Sequence, residues 1–396
     1  MSAIASLAGL LHPMTVDGFL AEVWGKKACI VRKGQAGDFA DLFGVCAMEN
    51  LLQYVRPDQA AVRLVRSDQH KPPEDFRLSN GSLDMVRIRN HFADGYTLVL
   101  NGLERHVPVI ATLAHAIEVE LNFETQVNAY ITPPRSQGFL AHYDDHDVLI
   151  LQLQGSKSWH VYGPQADVPP RLLPLRDRFS IDGLPEPDNL LLEAGDVLYL
   201  PRGRVHAAEA QQESSIHLTL GIHPPTLMTL AIKTLEALSL KDDRLLGQIP
   251  PRYLAKAAGR KQLGDMLRNA LSAIDEATIS EAVGALEDVL VRRGRCAPVG
   301  RLISDATGAG QIGATSWVER SRPLYARVLA LNEGVALQFA ESLVPAGPDH
   351  RAAMLYLTRR AEPFQVGDIP GIAEPDQIEL ARKLIIDGFL IRLPEA

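Results

Sequence analysis

The amino-acid sequence predicts an α+β chain in three parts: a β-barrel or sandwich behind a helical lead-in, an α-helical block, and a small module of strands and helices. Three observations carry that expectation. Between residues 126 and 222, polar and apolar residues alternate with period two in short runs separated by glycine and proline, as in the strands of sandwiches and barrels. From Leu227 to Arg293 the apolar spacing turns helical, interrupted at Pro250 and Pro251. Beyond residue 317 come a hairpin pattern, two helical patterns and a short apolar end.

Taken in order, Thr15 to Trp24 has an acidic first turn and helical spacing, and Val107 to Asn122 reads as an apolar helix. Gln126 to Thr132 alternates. Asp147 to Leu153 is so rich in aliphatics that burial on both faces is expected. Lys157 to Tyr162 returns after a turn at Gly155, residues 164–190 read as a long loop, and Asp196–Leu200 and Ser214–Ile222 are further strands. Arg327 to Phe339 reads as a hairpin turning at Asn332-Glu333-Gly334, helices follow near 348–360 and 374–387, and a short strand follows Gly388. These patterns divide the chain at 1–224, 225–317 and 318–396, the last resembling a winged helix.

Composition narrows the function classes. The chain has 396 residues, 46% hydrophobic and 22% charged, enough for two or three domains of roughly 150 residues each. No apolar run reaches the ~18 residues of a membrane span, and the start lacks the basic residues of a secretory signal, so a cytoplasmic protein is expected. Cys29, Cys46 and Cys296 are scattered and form neither a disulfide framework nor a CxxC metal site. A net charge of −8 argues against broad nucleic-acid affinity. So does the terminal segment from Pro345, with six Lys and Arg against eight Asp and Glu, because a DNA-reading wing is usually basic.

Two fragments carry chemistry. In the stretch 138–144, Gly-Phe-Leu-Ala-His-Tyr-Asp, His142 and Asp144 stand two apart and share one face of an extended segment. In the stretch 195–206, Gly-Asp-Val-Leu-Tyr-Leu-Pro-Arg-Gly-Arg-Val-His, a Pro-x-Gly turn precedes His206. Two imidazoles and one carboxylate form the facial triad of non-haem Fe(II) centres, which leaves coordination positions open. A lone His-x-Asp is common on strands by chance, but Gly195, Pro201, Gly203 and His206 fit the spacing of the second cupin motif. The first fragment resembles the first cupin motif with Asp144 in place of a second histidine. His146 shares the parity of His142 and Asp144 and is an alternative ligand or a supporting group. His160 is expected to face outward, His223 to be structural, and Asp145 and Asp147 to cap turns.

Oxygenases with this triad commonly draw electrons from 2-oxoglutarate, whose distal carboxylate needs a cation. On residues alone, Lys157 divides evenly between that partner and a solvated turn lysine. Asn128, Tyr130 and Thr132 share one strand face, and Ser215, His217, Thr219 and Gly221 another. Those polar faces meet either solvent or a pocket.

The stretch from His142 to Tyr162, with Tyr130 to Phe139 before it and Gly195 to His206 after it, resembles the core of the JmjC-type ribosomal oxygenases. Phe19 to Lys27, the helical block after Pro225, and Phe364 to Gly371 are also similar to that family. The resemblance implies a double-stranded β-helix (the cupin/JmjC jelly roll), a helical dimerisation domain and a winged-helix-like domain. It implies Fe(II) on His142, Asp144 and His206, and 2-oxoglutarate held by Lys157 with Asn128, Tyr130 and Thr219. It further implies a homodimer that uses O₂ to hydroxylate an Arg or His side chain of a ribosomal protein. The rival readings are an oxygenase of a small molecule or non-ribosomal peptide, and a non-catalytic cupin/winged-helix regulator.

Overall fold

The computed structural model describes residues 6–33, 39, 42–54, 61–164, 184–294, 312–321, 323–360 and 362–393. Cys296, most of the loop expected over 164–190 and most of the polar stretch 299–316 lie outside them. The chain divides into two compact units, residues 1–224 and 225–396.

The first unit is built on two antiparallel sheets. Its strands are β1 (Cys29–Val31), β2 (Val62–Arg66), β3 (Gln69–His70), β4 (Thr97–Leu100), β5 (Glu124–Thr132), β6 (Asp147–Gln154), β7 (Ser156–Pro164), β8 (Asp188–Glu193), β9 (Val197–Leu200), β10 (Arg204–Ala210) and β11 (Ser215–His223). The larger sheet runs β1-β9-β6-β11-β5-β4-β2-β3 and the smaller β10-β7-β8. Strands β2 to β4 fall between the helical lead-in and the apolar helix, where no strand was expected from sequence. They are short, and β4 pairs across to β2 and β5.

Alternation assigns the two faces of the larger sheet. Val127, Ala129 and Ile131 of β5 pack with Leu218, Leu220 and Ile222 of β11 in one apolar core that includes Ile110, Leu113 and Ile117 of the helix Pro108–Leu121. That helix starts with Pro108 at its first position and ends at Asn122 in the left-handed conformation, as helix-end chemistry favours. Val148 and Ile150 of β6 turn the other way, with Leu198 and Leu200 of β9, and meet Trp159, Val161 and Leu192 of the smaller sheet. Strand β6 is therefore buried on both faces, as its aliphatic run predicts.

Asp147 accepts from the backbone N–H of Arg202 and so caps the turn there, as expected. It is buried and accepts a hydrogen bond from the Tyr199 hydroxyl at 2.5 Å. The same hydroxyl accepts from the backbone N–H of Gly25 at 2.8 Å. Burial raises the Asp147 carboxyl above its ordinary range, against the pull of the Tyr199 bond. This bridge pins the lead-in to the sheet, with Phe19 and Trp24 packed on the Tyr199 ring.

The second unit begins with the helices Leu227–Ser239, Ala257–Leu271 and Glu276–Arg293. It continues through β12 (Trp317–Arg320), β13 (Ala326–Leu331), β14 (Gly334–Phe339), β15 (Ser342–Ala346), the helix Arg351–Arg359, β16 (Phe364–Gln365), the helix Glu374–Ile386 and β17 (Leu390–Arg392). Strands β13 and β14 pair from Leu331↔Gly334, as the expected hairpin requires, and β15 extends them. Strand β12 lies between β16 and β17. Arg327 of β13, largely buried, meets Glu287 at 3.0 Å and Asp288 at 2.9 Å on the helix Glu276–Arg293. Gln338 of β14 donates to the same Asp288 at 2.8 Å.

Tyr199→Phe leaves a buried carboxylate and the Gly25 N–H without their shared partner. A loss of about 1–3 kcal/mol is expected, read as a lowered urea midpoint with an unchanged slope.

Candidate metal centre

The three residues expected to bind metal arrive from two routes and are locked by main chain. His142 and His206 exchange backbone hydrogen bonds at 3.0 and 2.8 Å, and Gly203 N–H donates to the Asp144 carbonyl at 2.8 Å. Gly203 sits at φ +76°, a conformation that suits glycine. Thus the Pro-x-Gly turn sets His206 beside His142. The imidazole centroids are 4.5 Å apart, and His206 Nε2 lies 3.7 Å from Asp144 Oδ2.

Both rings are oriented by carbonyls two residues earlier. His142 Nδ1 donates to the Leu140 carbonyl at 2.8 Å, and His206 Nδ1 to that of Arg204 at 2.9 Å. With each Nδ1 engaged as donor, each Nε2 keeps its lone pair for a metal. Burial, then His142, hold His206 below the usual imidazole range and so neutral, with Asp144 opposing. One ligand atom from each of His142, Asp144 and His206 can be chosen so that all lie within 4.8 Å of one another. Among the described residues this is the one group of three or more His, Cys, Asp or Glu so placed.

The triad opens into a cavity of about 660 Å³ between the two sheets of the first unit. Asn128, Tyr130, Lys157 and Thr219 all line it. The polar faces of β5 and β11 therefore look into a pocket, because the apolar faces are covered by the helical side. Lys157 is 4% exposed and donates to Thr132 Oγ1 at 3.1 Å. Burial lowers its ammonium from 10.5 to about 7. No carboxylate lies within ion-pair distance of it among the described residues. Asn128 accepts from the Gly102 N–H at 3.1 Å and hydrogen-bonds Tyr130. Burial, then Asp144, push the Tyr130 hydroxyl up to about 12, so it stays protonated.

The other histidines separate clearly. His146 lines the cavity but bonds Asp145 at 3.0 Å and lies against His223, with centroids 4.2 Å apart. A side chain at Gly221 would meet His146 Nε2 at 2.8 Å, so that glycine makes room for it. His160 is on the outer face, near Asn189 and Glu209. Residues given no role from sequence also line the cavity: Arg63, Phe139, Trp159 and His217. Parity marked His217 as polar-face, and Trp159 shares the face of Lys157. Arg63 offered no comparable signal.

Comparisons with known proteins agree with this geometry. The profile of the JmjC domain family matches residues 104–230, the span holding the triad and the cavity strands. Ribosomal oxygenase 1 of Bos taurus is 31% identical over 218 residues, covering 53% of this chain and 32% of that protein. The chain is thus similar to the ribosomal oxygenases, through a JmjC domain match over residues 104–230. The bifunctional lysine-specific demethylase and histidyl-hydroxylase NO66 of Drosophila mojavensis is 29% identical over 223 residues, covering 54% of this chain and 24% of that protein. The chain thus spans well under half the length of these curated relatives. Its fold is like that of ycfD from E. coli, with a TM-score of 0.57 and 17% identity, covering 96% of this chain and 98% of that one. A YcfD structure in complex with cobalt and 2-oxoglutarate gives a TM-score of 0.53 at 17% identity.

The donor chemistry of this site fits Fe(II): two imidazoles and one carboxylate on one side of a roomy cavity. A buried ammonium facing no anion fits a ligand that brings one.

That ammonium makes a stability prediction. The folded protein holds Lys157 neutral more readily than the unfolded chain does. Between pH about 7 and 10.5 the unfolded state therefore binds more protons, and stability from this group rises with pH. Lys157→Met is expected to raise the ligand-free melting temperature by at least about 2 °C at pH 7. The gain shrinks toward pH 10.5, as calorimetry across that range would record.

Proposed function

We propose that the chain is an Fe(II)- and 2-oxoglutarate-dependent oxygenase that hydroxylates an Arg or His side chain of a ribosomal protein. One observation carries the reading: a His-Asp-His set shares a cavity with a buried lysine that has no anionic partner among the described residues. When bound, iron and 2-oxoglutarate supply oxidative decarboxylation by O₂, yielding succinate and CO₂ and delivering one oxygen atom to a substrate C–H bond.

The chain's own residues do the positioning. His142, Asp144 and His206 would hold the metal, and such a three-residue set would leave it open to cosubstrate and O₂. Lys157 pairs with the distal carboxylate, whose charge offsets the cost of burying the ammonium. Asn128 and Tyr130 line the cosubstrate's berth as neutral hydrogen-bonding groups, with Thr219 beside them. The cavity walls of Val148, Ile150 and Trp159 limit water around the reacting groups. An acidic chain suits a basic ribosomal surface.

The second unit is proposed as an interaction scaffold. Leu227, Leu240, Leu246 and Leu254 of the helical block are between 67% and 89% exposed, and such leucines favour pairing with another copy. We assign residues 225–317 to homodimerisation and residues 318–396 to a winged-helix-like protein-contact module.

The test is succinate formation from 2-oxoglutarate with Fe(II), with and without a ribosomal protein fraction, alongside a +16 mass shift on the substrate. His142→Ala or Asp144→Ala is expected to abolish turnover. Lys157→Ala is expected to weaken 2-oxoglutarate on the order of 100-fold. An inactive unaltered protein that binds DNA tightly would favour the regulator instead. For assembly, Leu240→Glu with Leu254→Glu is expected to shift light-scattering mass from dimer to monomer.

A further inference from the structure

His217 has no role in the triad, yet it is the most unusual side chain in the cavity. It is 3% exposed and lies on β11, opposite Tyr130 of β5. Its ring stacks on Tyr130 at 4.8 Å with an interplanar angle of 2°, and Trp159 meets it edge-on at 5.5 Å. Its Nδ1 is buried with no hydrogen-bond partner among the described residues, as is the indole nitrogen of Trp159. Both residues line the cavity with Lys157.

A ring held only by stacking needs no nitrogen atoms. Phenylalanine would fill the slot without the cost of burying polar atoms unpaired. A neutral imidazole carries one N–H, and the ring shares its cavity with the Lys157 side chain. Such a donor beside a buried ammonium suits an anion that accepts from both.

We propose that His217 is a binding residue of the distal-carboxylate subsite, donating a neutral hydrogen bond to the dicarboxylate that Lys157 pairs with. This rests on the reading of the cavity as a 2-oxoglutarate site. His217 then discriminates between keto acids that carry a second carboxylate and those that do not. Trp159 fixes the edge of the imidazole, and Tyr130 fixes its face. The ring is consequently aimed before the ligand arrives, which reduces the ordering cost of binding.

The test is calorimetric binding to the full chain loaded with Co(II) in the absence of O₂. The two probes are 2-oxoglutarate and 2-oxobutyrate, which has the same keto-acid head and no distal carboxylate. For His217→Phe, the dissociation constant of 2-oxoglutarate is expected to rise about 10- to 100-fold. That of 2-oxobutyrate and the Co(II) affinity should not change. The ligand-free melting temperature should hold or increase, because an unpaired polar ring has been replaced by an apolar one; a purely structural histidine would instead lower it. His217→Asn, which keeps an N–H donor, should recover part of the affinity. Should the phenylalanine variant fail to fold, His217→Leu serves the same comparison.

Unchanged 2-oxoglutarate binding in the apolar variants overturns the inference. So does an equal loss for both keto acids, because the effect would then not belong to the distal carboxylate. If the unaltered chain binds neither keto acid, the oxygenase reading falls and takes this inference with it. Binding by the unaltered chain with no change in the variants overturns the inference alone.

Discussion

The arrangement depends on one pair of backbone hydrogen bonds, the reciprocal exchange between His142 and His206. It brings a loop and a strand together at the one point where their side chains must share a metal. Because main-chain groups make the pair, no side-chain rotamer has to be sacrificed to hold it. The third residue is tied in the same way, through Gly203 and the carbonyl of Asp144. The two imidazoles are oriented by equivalent devices, each leaning on the carbonyl two residues back. Geometry this dependent on peptide groups is insensitive to most substitutions nearby. It is sensitive to the turn, where Gly203 occupies a backbone conformation that other residues adopt only under strain.

Around that point the sheet divides its labour by parity. Alternate residues of β5 and β11 go to the apolar core beneath the helices, and their neighbours go to the cavity. The core supplies stability, while the cavity face carries groups that lower it: among the described residues, a lysine without an anion and a histidine whose Nδ1 makes no hydrogen bond. Such local costs persist only where the surrounding structure over-determines them. Here the two-sided burial of β6 and the Tyr199–Asp147 bridge serve that purpose.

Much of this was legible in the sequence, for identifiable reasons. Period-two runs marked β5, β6 and β11, and the Gly, Pro, Gly and His spacing of 195–206 pointed to His206. Lys157 could be named from family resemblance, but its isolation from carboxylates is a property of the folded cavity. Parity alone left the faces of β5 and β11 undecided, because the helix that covers one of them is distant in sequence from β11. Strands β2 and β4 escaped notice for a related reason, being four or five residues long with partners that no local pattern names. Asp147 was read as turn chemistry, which its bond from the Arg202 N–H bears out, but its other partner, Tyr199, lies 52 residues away and has no local signature. His217 was placed on the correct face, yet nothing in a one-dimensional string reports that a buried nitrogen lacks a neighbour.

The Arg327 cluster bears on how the second half of the molecule can be divided. A cut near residue 317 follows the change in sequence character, but it severs Arg327 and Gln338 from Glu287 and Asp288. A terminal fragment prepared alone would carry a largely buried guanidinium stripped of both its counter-ions. Helix and hairpin are accordingly better regarded as one cooperative folding element, and fragments for isotope labelling or crystallisation should begin ahead of Glu276.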